Sequence, residues 1–278
     1  MEENKLIKLI AIDMDGTLLN EHHLVTDKVK KAITRASEAG IKIVLCTGRP
    51  VQAVYEYLKE LELPQDEEDY VISLNGTVVQ KTTTWEIVYS HELDHDHLKQ
   101  AERLIEPFEM NFTYFDEKEY YYTGAPTEML QFDADLLGME KVHLPLTKLP
   151  HDLTVFKAMY VAPETELDRL ASSFPSFISE YFYPIRSLSY VLELLPKKAN
   201  KGEALTGLAT KLGFAMDEVM AIGDGENDLD MMKVAGTGVA MGNAVDSIKQ
   251  VAKYETKSNQ EDGVAHAIYE WALQNYCS

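Results

Sequence analysis

The chain has 278 residues, 45% of them hydrophobic, and carries a formal net charge of −20. That length suffices for one large domain or two ordinary ones with a sizeable core, and no apolar run approaches the roughly 20 residues of a membrane span. So acidic a chain argues against a nucleic-acid partner, which needs a basic surface. It also sets a condition on any anionic substrate: the mean field repels it, so its site must hold positive charge of its own.

The opening MEENKLIK is acidic and short and does not read as a signal peptide. LIKLIAIDMD is an apolar run that ends in two carboxylates, Asp13 and Asp15, with Gly16 and Thr17 behind them. Like charges that close raise each other's pKa and cost stability, so the pair needs a use. TDKVKKAITRASEAG spaces Val29, Ala32, Ile33, Ala36 and Ala39 as one helix face. Thr26 or Asp27 can cap its start and Gly40 its end. IKIVLC predicts a second strand, leading into Thr47, Gly48 and Arg49, and RPVQAVYEYLKELEL a second helix. YVISLNGTVV predicts a third strand turning at Asn75–Gly76. Strands that are apolar throughout and linked by helices imply a parallel sheet covered on both faces.

Residues 83–194 have a different rhythm. WEIVYSHEL, MNFTYFDEKEYYYTG, FKAMYVA and SYVLELL have strand character and many aromatics, with helical stretches HLKQAERLIEPF and ETELDRLASSF between them. Strands and helices without a regular βα alternation suggest an α+β insert. From Pro196 the first rhythm returns. KGEALTGLATKLG is a helix, EVMAIGDGEND a strand ending in acidic residues, LDMMKVAG a short helix and GVAMGNA a strand. VDSIKQVAKY and DGVAHAIYEWAL close the chain as helices. The expected fold is α/β: a Rossmann-like, doubly wound parallel sheet core from residues 1–82 and 195–278, with an inserted α+β cap domain at 83–194.

The two cysteines, Cys46 and Cys277, read as a buried thiol and an exposed one. Nothing supports a bridge between them, which favours a reducing, cytoplasmic setting, and no CxxC pair offers a zinc site.

In open α/β sheets the site lies at the carboxyl ends of the strands. Four strands deliver polar groups there: Asp13, Asp15 and Thr17; Thr47, Gly48 and Arg49; Asn75 and Gly76; and Asp224, Glu226, Asn227 and Asp228. Taken singly, each has a plain explanation as a cap, an Asx-turn or a solvated loop. Independent caps would not all fall on one edge. Two acidic clusters with no histidine or cysteine nearby suit a hard divalent cation, and Mg²⁺ in particular. The cation would offset the packed carboxylates. Thr47 offers a hydroxyl, Gly48 an unobstructed amide and Lys201 a point charge, a set suited to phosphoryl transfer. There is no P-loop, no GxGxxG and no GxSxG elbow, which leaves a carboxylate as the nucleophile.

DMDGT at 13–17, TGR at 47–49, Lys201–Gly202 and GDGENDLDM at 223–231 together resemble the four motifs of the haloacid dehalogenase-like superfamily, in the manner of the Cof-type phosphatases with a type IIB cap. The resemblance spans the whole chain. Too few residues separate Asp15 from Thr47 for a cap to fit there, so the insert falls between the Thr47 and Lys201 motifs, as in that subfamily. The resemblance implies an Mg²⁺-dependent phosphatase for a small phosphorylated metabolite, with a sugar phosphate in view, acting through an aspartyl-phosphate. It makes Asp13 the nucleophile and Asp15 the acid and base. The metal would be held by Asp13, the backbone carbonyl of Asp15, and Asp224, with Asp228 behind them ordering a water or the lysine. Thr47, Lys201, Asn227 and the amides of Met14 and Gly48 would hold the phosphoryl group. A cap would close over the core and contact the leaving group. Arg49 reads two ways, as a substrate-anion contact or as the partner of a nearby carboxylate. The histidine-rich SHELDHDHL reads as a helix start capped by Asp94 or Asp96 rather than a metal site. A phosphomutase and a phospho-accepting signalling module are the alternatives, and either a monomer or a homodimer is compatible with the chain.

Overall fold

The computed structural model describes residues 6–63 and 66–276, so the first residues of MEENKLIK, and Cys277, lie outside the described residues. Its contacts divide the chain into two compact units, one running up to Tyr89 and resuming at Asn200, the other Ser90–Ala199. In chain order the strands are β1 (Leu9–Ile12), β2 (Lys42–Cys46), β3 (Tyr70–Ser73), β4 (Val78–Lys81), β5 (Ile87–Ser90), β6 (Asn111–Phe115), β7 (Tyr120–Tyr122), β8 (Lys141–His143), β9 (Lys157–Val161), β10 (Phe182–Leu188), β11 (Val191–Pro196), β12 (Val219–Gly223), β13 (Thr237–Ala240) and β14 (Tyr254–Glu255). Among the described residues no helix is long and apolar enough to cross a membrane.

The first unit is built on the sheet β14-β13-β12-β1-β2-β3-β4-β5. From β14 to β3 every pairing is parallel, and β4 returns antiparallel to β3. β1 lies in the middle and is completely buried, which is why its four residues are apolar on both faces. Ile12 is level with Ile222 on one side and Leu45 on the other, so residues just past β1, β2 and β12 emerge together on one edge. The helix Asp27–Glu38 turns Val29, Ala32, Ile33 and Ala36 inward, and the Thr26 side chain caps it by accepting from the Val29 amide.

Elsewhere the elements depart from their sequence readings. The second helix divides into a 3-10 stretch, Val51–Val54, and a short α-helix, Tyr55–Glu60. The β-branched Val51 and Val54 have lowered α-helical propensity. VDSIKQVAKY is helical only over Asp246–Val251, and its end becomes β14 beside Val239 and Ala240. The last helix begins at Gly263–Ala267 and widens into a π-helical turn at Ile268–Ala272. WEIVYSHEL supplies β5 to this first sheet.

The second unit holds the sheet β10-β11-β9-β6-β7-β8, antiparallel except between β7 and β8. Its alternate residues serve two cores, as the period of two requires. Phe112, Tyr114 and Tyr160 pack with Leu98, Ala101, Leu167 and Leu170 of the helices His95–Arg103 and Glu164–Ser172. Phe115, Tyr120 and Met159 pack with Leu130 and Ala134 of the helix Glu128–Leu137, which has no counterpart in the sequence reading. Asp94 caps the helix of the histidine-rich stretch, accepting from the amides of Asp96 and His97 at 2.9 and 3.0 Å. His95 Nε2 meets the Leu153 carbonyl at 2.8 Å and His97 stacks on Tyr181, so these two rings serve packing.

Candidate active site

Past β1 the chain makes a tight loop. The Asp13 amide still donates to Ile222 at 3.0 Å, and the Leu18 amide folds back to the Asp13 carbonyl at 3.1 Å. Gly16 turns at φ +81°, where a Cβ would sit 2.3 Å from Asp224 Oδ2, so the motif needs glycine for both conformation and space. The Thr17 hydroxyl donates to Asp224 Oδ1 at 2.7 Å, tying the β1 loop to the β12 loop. Asn243, a residue the sequence reading passed over, donates from Nδ2 to the Gly16 carbonyl at 2.8 Å and lies 3.5 Å from Asp224 Oδ2.

Lys201 is the first residue of the helix Lys201–Leu212, capped by Asn200. Its side chain is fully buried, and Nζ donates to Asp13 Oδ1 and to Asp228 Oδ1, both at 2.6 Å. The other oxygen of Asp228 accepts the amides of Asp224 and Gly225 at 2.9 and 3.0 Å. Asp228 is thus occupied at both oxygens, whereas Asp13 receives Lys201 on Oδ1. Asp13, Asp224 and Asp228 offer carboxylate oxygens all within 4.8 Å of one another. Three carboxylates against one ammonium leave two negative charges, in an all-oxygen setting. That donor set fits a hard divalent cation.

The electrostatics follow from burial. Desolvation pushes the Asp13 carboxyl well above the usual range, and the Asp228 and Asp224 carboxylates push it further against the opposing pull of Lys201. Desolvation likewise raises Asp224, to about 6. Burial works against the Lys201 charge, but Asp13 and Asp228 outweigh it and the ammonium is held above its ordinary range. The carboxylates that crowd Asp13 therefore come from the β12 loop, not from its sequence neighbour. Asp15 turns to Arg49, which donates from Nε to Oδ2 at 2.8 Å and from Nη2 to Oδ1 at 2.5 Å. Arg49 thus pairs with a nearby carboxylate, one of its two readings.

Thr47 is buried at the end of β2, with its hydroxyl accepting the Arg49 amide at 3.1 Å. Gly48 backs onto Asn75, whose amide group would stand 3.0 Å from a Cβ there. Asn227 donates to Asn75 Oδ1 at 2.9 Å. Asn75 belongs to a run of three left-handed residues, Leu74, Asn75 and Gly76, at φ 50°, 55° and 92°. The sequence shows a turn at that place, but not that its asparagine reaches the β12 loop. Met14, between the two aspartates, is wholly buried.

The chain is similar to several known proteins. The pattern of a family described as haloacid dehalogenase-like hydrolase matches residues 10–268. YxeH of Bacillus subtilis (strain 168), provisionally designated a phosphatase, is 40% identical over 96% of this chain and 99% of its own. The 5-amino-6-(5-phospho-D-ribitylamino)uracil phosphatase YcsE of the same organism is 34% identical over 96% of each. Among solved structures, a haloacid dehalogenase-like hydrolase from Bacteroides thetaiotaomicron superposes with a TM-score of 0.85 at 31% identity, covering 95% of this chain and 98% of that one. The subclass IIB sugar phosphatase BT4131 shares the fold, with a TM-score of 0.82 at 24% identity over 96% and 99% of the two chains.

Proposed function

The chain belongs to the haloacid dehalogenase-like hydrolases, among the Cof-type phosphatases, and on that premise we propose that it hydrolyses a small phosphorylated metabolite with Mg²⁺. The observation that carries this reading is the buried Lys201 bridging Asp13 and Asp228, in a group of three carboxylates at the ends of adjacent parallel strands. Asp13, Asp224 and the backbone carbonyl of Asp15 would hold Mg²⁺, which supplies positive charge against the phosphoryl oxygens.

In the first step a carboxylate oxygen of Asp13 attacks phosphorus, the ester P–O bond breaks, and Asp15 gives its proton to the leaving oxygen. In the second step Asp15, now ionised, takes a proton from water. The resulting hydroxide attacks phosphorus, phosphate departs and Asp13 is restored. Lys201 orients Asp13 and meets a phosphoryl oxygen. Thr47, Asn227 and the amides of Met14 and Gly48 complete the cradle, and Asp228 anchors Lys201. Mg²⁺ and Lys201 together would supply the local positive charge that the chain-wide charge demands.

A phosphate-release screen with Mg²⁺ tests the reading, using phosphorylated sugars and sugar alcohols first and the phosphorylated ribitylaminouracil named for YcsE alongside. Asp13→Asn should abolish release while the circular dichroism spectrum stays unchanged. Turnover near the wild-type rate in that variant would sink the nucleophile assignment. Phosphate passed to a second sugar instead of water would make the protein a mutase.

A further inference from the structure

Asp15 has surroundings that the steps above leave unused. Arg49 covers both of its oxygens, and the guanidinium is itself held from two further directions. His23 Nδ1 lies 3.5 Å from Arg49 Nη2 and 3.8 Å from Asp15 Oδ1. The Tyr57 ring lies 5.7 Å from the guanidinium carbon, in cation–π range. The Tyr57 hydroxyl donates to the His23 backbone carbonyl at 3.2 Å. His23 stands at φ +56°, a left-handed conformation that costs a non-glycine residue free energy and persists only where its neighbours hold it. A guanidinium has no acceptor, so a hydrogen bond between these two groups has His23 Nδ1 accepting from Arg49 Nη2. Three segments of the first unit thus converge on one carboxylate: the loop after β1, the start of the segment after β2, and the helix Tyr55–Glu60.

We infer that Arg49, His23 and Tyr57 form a positioning clamp that aims the Asp15 carboxyl for proton transfer. The inference rests on the reading of Asp15 as proton donor. The Asp15 side chain is half exposed, and left alone such a group samples several rotamers, of which few point usefully. The Arg49 fork fixes its rotation, while His23 and Tyr57 fix the fork. When Asp15 is protonated one bond suffices: its carbonyl oxygen keeps an Arg49 donor and its hydroxyl is free to meet the leaving oxygen.

A pair of aryl esters separates this role from a structural one. p-Nitrophenyl phosphate has a good leaving group that departs with little help, whereas phenyl phosphate, nearly the same shape, depends more on protonation. The rate of the first turnover is measured for each by rapid mixing in Mg²⁺. Asp15→Asn is the reference and should slow the phenyl ester far more than the nitrophenyl ester. His23→Gly keeps the left-handed backbone and removes the acceptor. It should lower the phenyl rate about tenfold and the nitrophenyl rate much less. His23→Asn, which tolerates the same backbone and restores an acceptor, should recover most of the loss. Tyr57→Phe, which keeps the ring and loses the hydroxyl, should behave like His23→Gly in milder form. Equal slowing of both esters by His23→Gly and Tyr57→Phe, or no slowing by either, would overturn the clamp. Equal slowing by Asp15→Asn itself would instead remove the proton-donor reading on which the clamp depends.

Discussion

Lys201 concentrates the energetics of the site in one side chain. It is buried with two carboxylates on its ammonium, so removing the charge strands both. Lys201→Met should destabilise the metal-free protein by about 3–5 kcal/mol, read from its denaturant midpoint, and should stop phosphate release. Asp224 offers a second residue-level test. Its carboxyl is raised to about 6 in the folded protein, against 3.8 for an ordinary aspartate. Between those values the folded, metal-free protein holds a proton that the unfolded chain has released. Its stability is then greatest at the acidic end of that window and falls as pH rises towards 6, by roughly 1–3 kcal/mol. Mg²⁺ requires the carboxylate, so its stabilising effect should be small at pH 5 and large at pH 7, as thermal melts with and without Mg²⁺ will report. An Mg²⁺ effect independent of pH would contradict the assignment of Asp224 as a ligand. Asp13, Asp224, Asp228 and Lys201 were legible because each follows an apolar strand or opens a helix. Arg49 was legible as the partner of some nearby carboxylate but not of Asp15 in particular, because adjacency in the chain says nothing about which way a side chain turns out of a tight loop. Asn75 was placed at the sheet edge without its partner, and Asn243 was passed over, for a related reason: each matters through a hydrogen bond to a residue far away in sequence.

Among the elements, the turn Leu74–Gly76 has most leverage. A Cβ on Gly76 would lie 2.2 Å from the Asn200 carbonyl, the residue that caps the Lys201 helix. Gly76→Ala should therefore cost about 2–4 kcal/mol and reduce phosphate release by shifting Lys201. Gly207→Ala is the control, since it lies in the same helix with nothing within 4 Å of a new Cβ. It should gain about 0.5–1 kcal/mol, with activity unchanged. Strands of the first sheet were readable because burial on both faces leaves an unbroken apolar run. β14 was not, because two residues become a strand only through the register of β13 beside them. β10 also escaped the sequence reading, since its half-buried face carries no clean alternation.

For the molecule as a whole, the formal charge of −20 opposes the approach of a phosphorylated substrate, while Lys201 and the proposed Mg²⁺ would attract it only at close range. Raising ionic strength from low to physiological values screens the distant repulsion first, so kcat/KM should rise over that interval. A steady fall would mean that attraction by the site prevails at long range as well. The order of the sheet also bears on how the protein is made. β1 finds its partner β2 early, but its other flank is β12, and Thr17 and Asp224 are 207 residues apart. At about 5–20 residues per second, roughly 10–40 s of synthesis separate the two. Throughout that time this apolar strand of the nascent chain has one bare edge, and Asp13 has neither lysine nor second acidic cluster beside it. The nascent chain is thus catalytically mute until synthesis has passed Asp228 and that segment has emerged and paired beside β1.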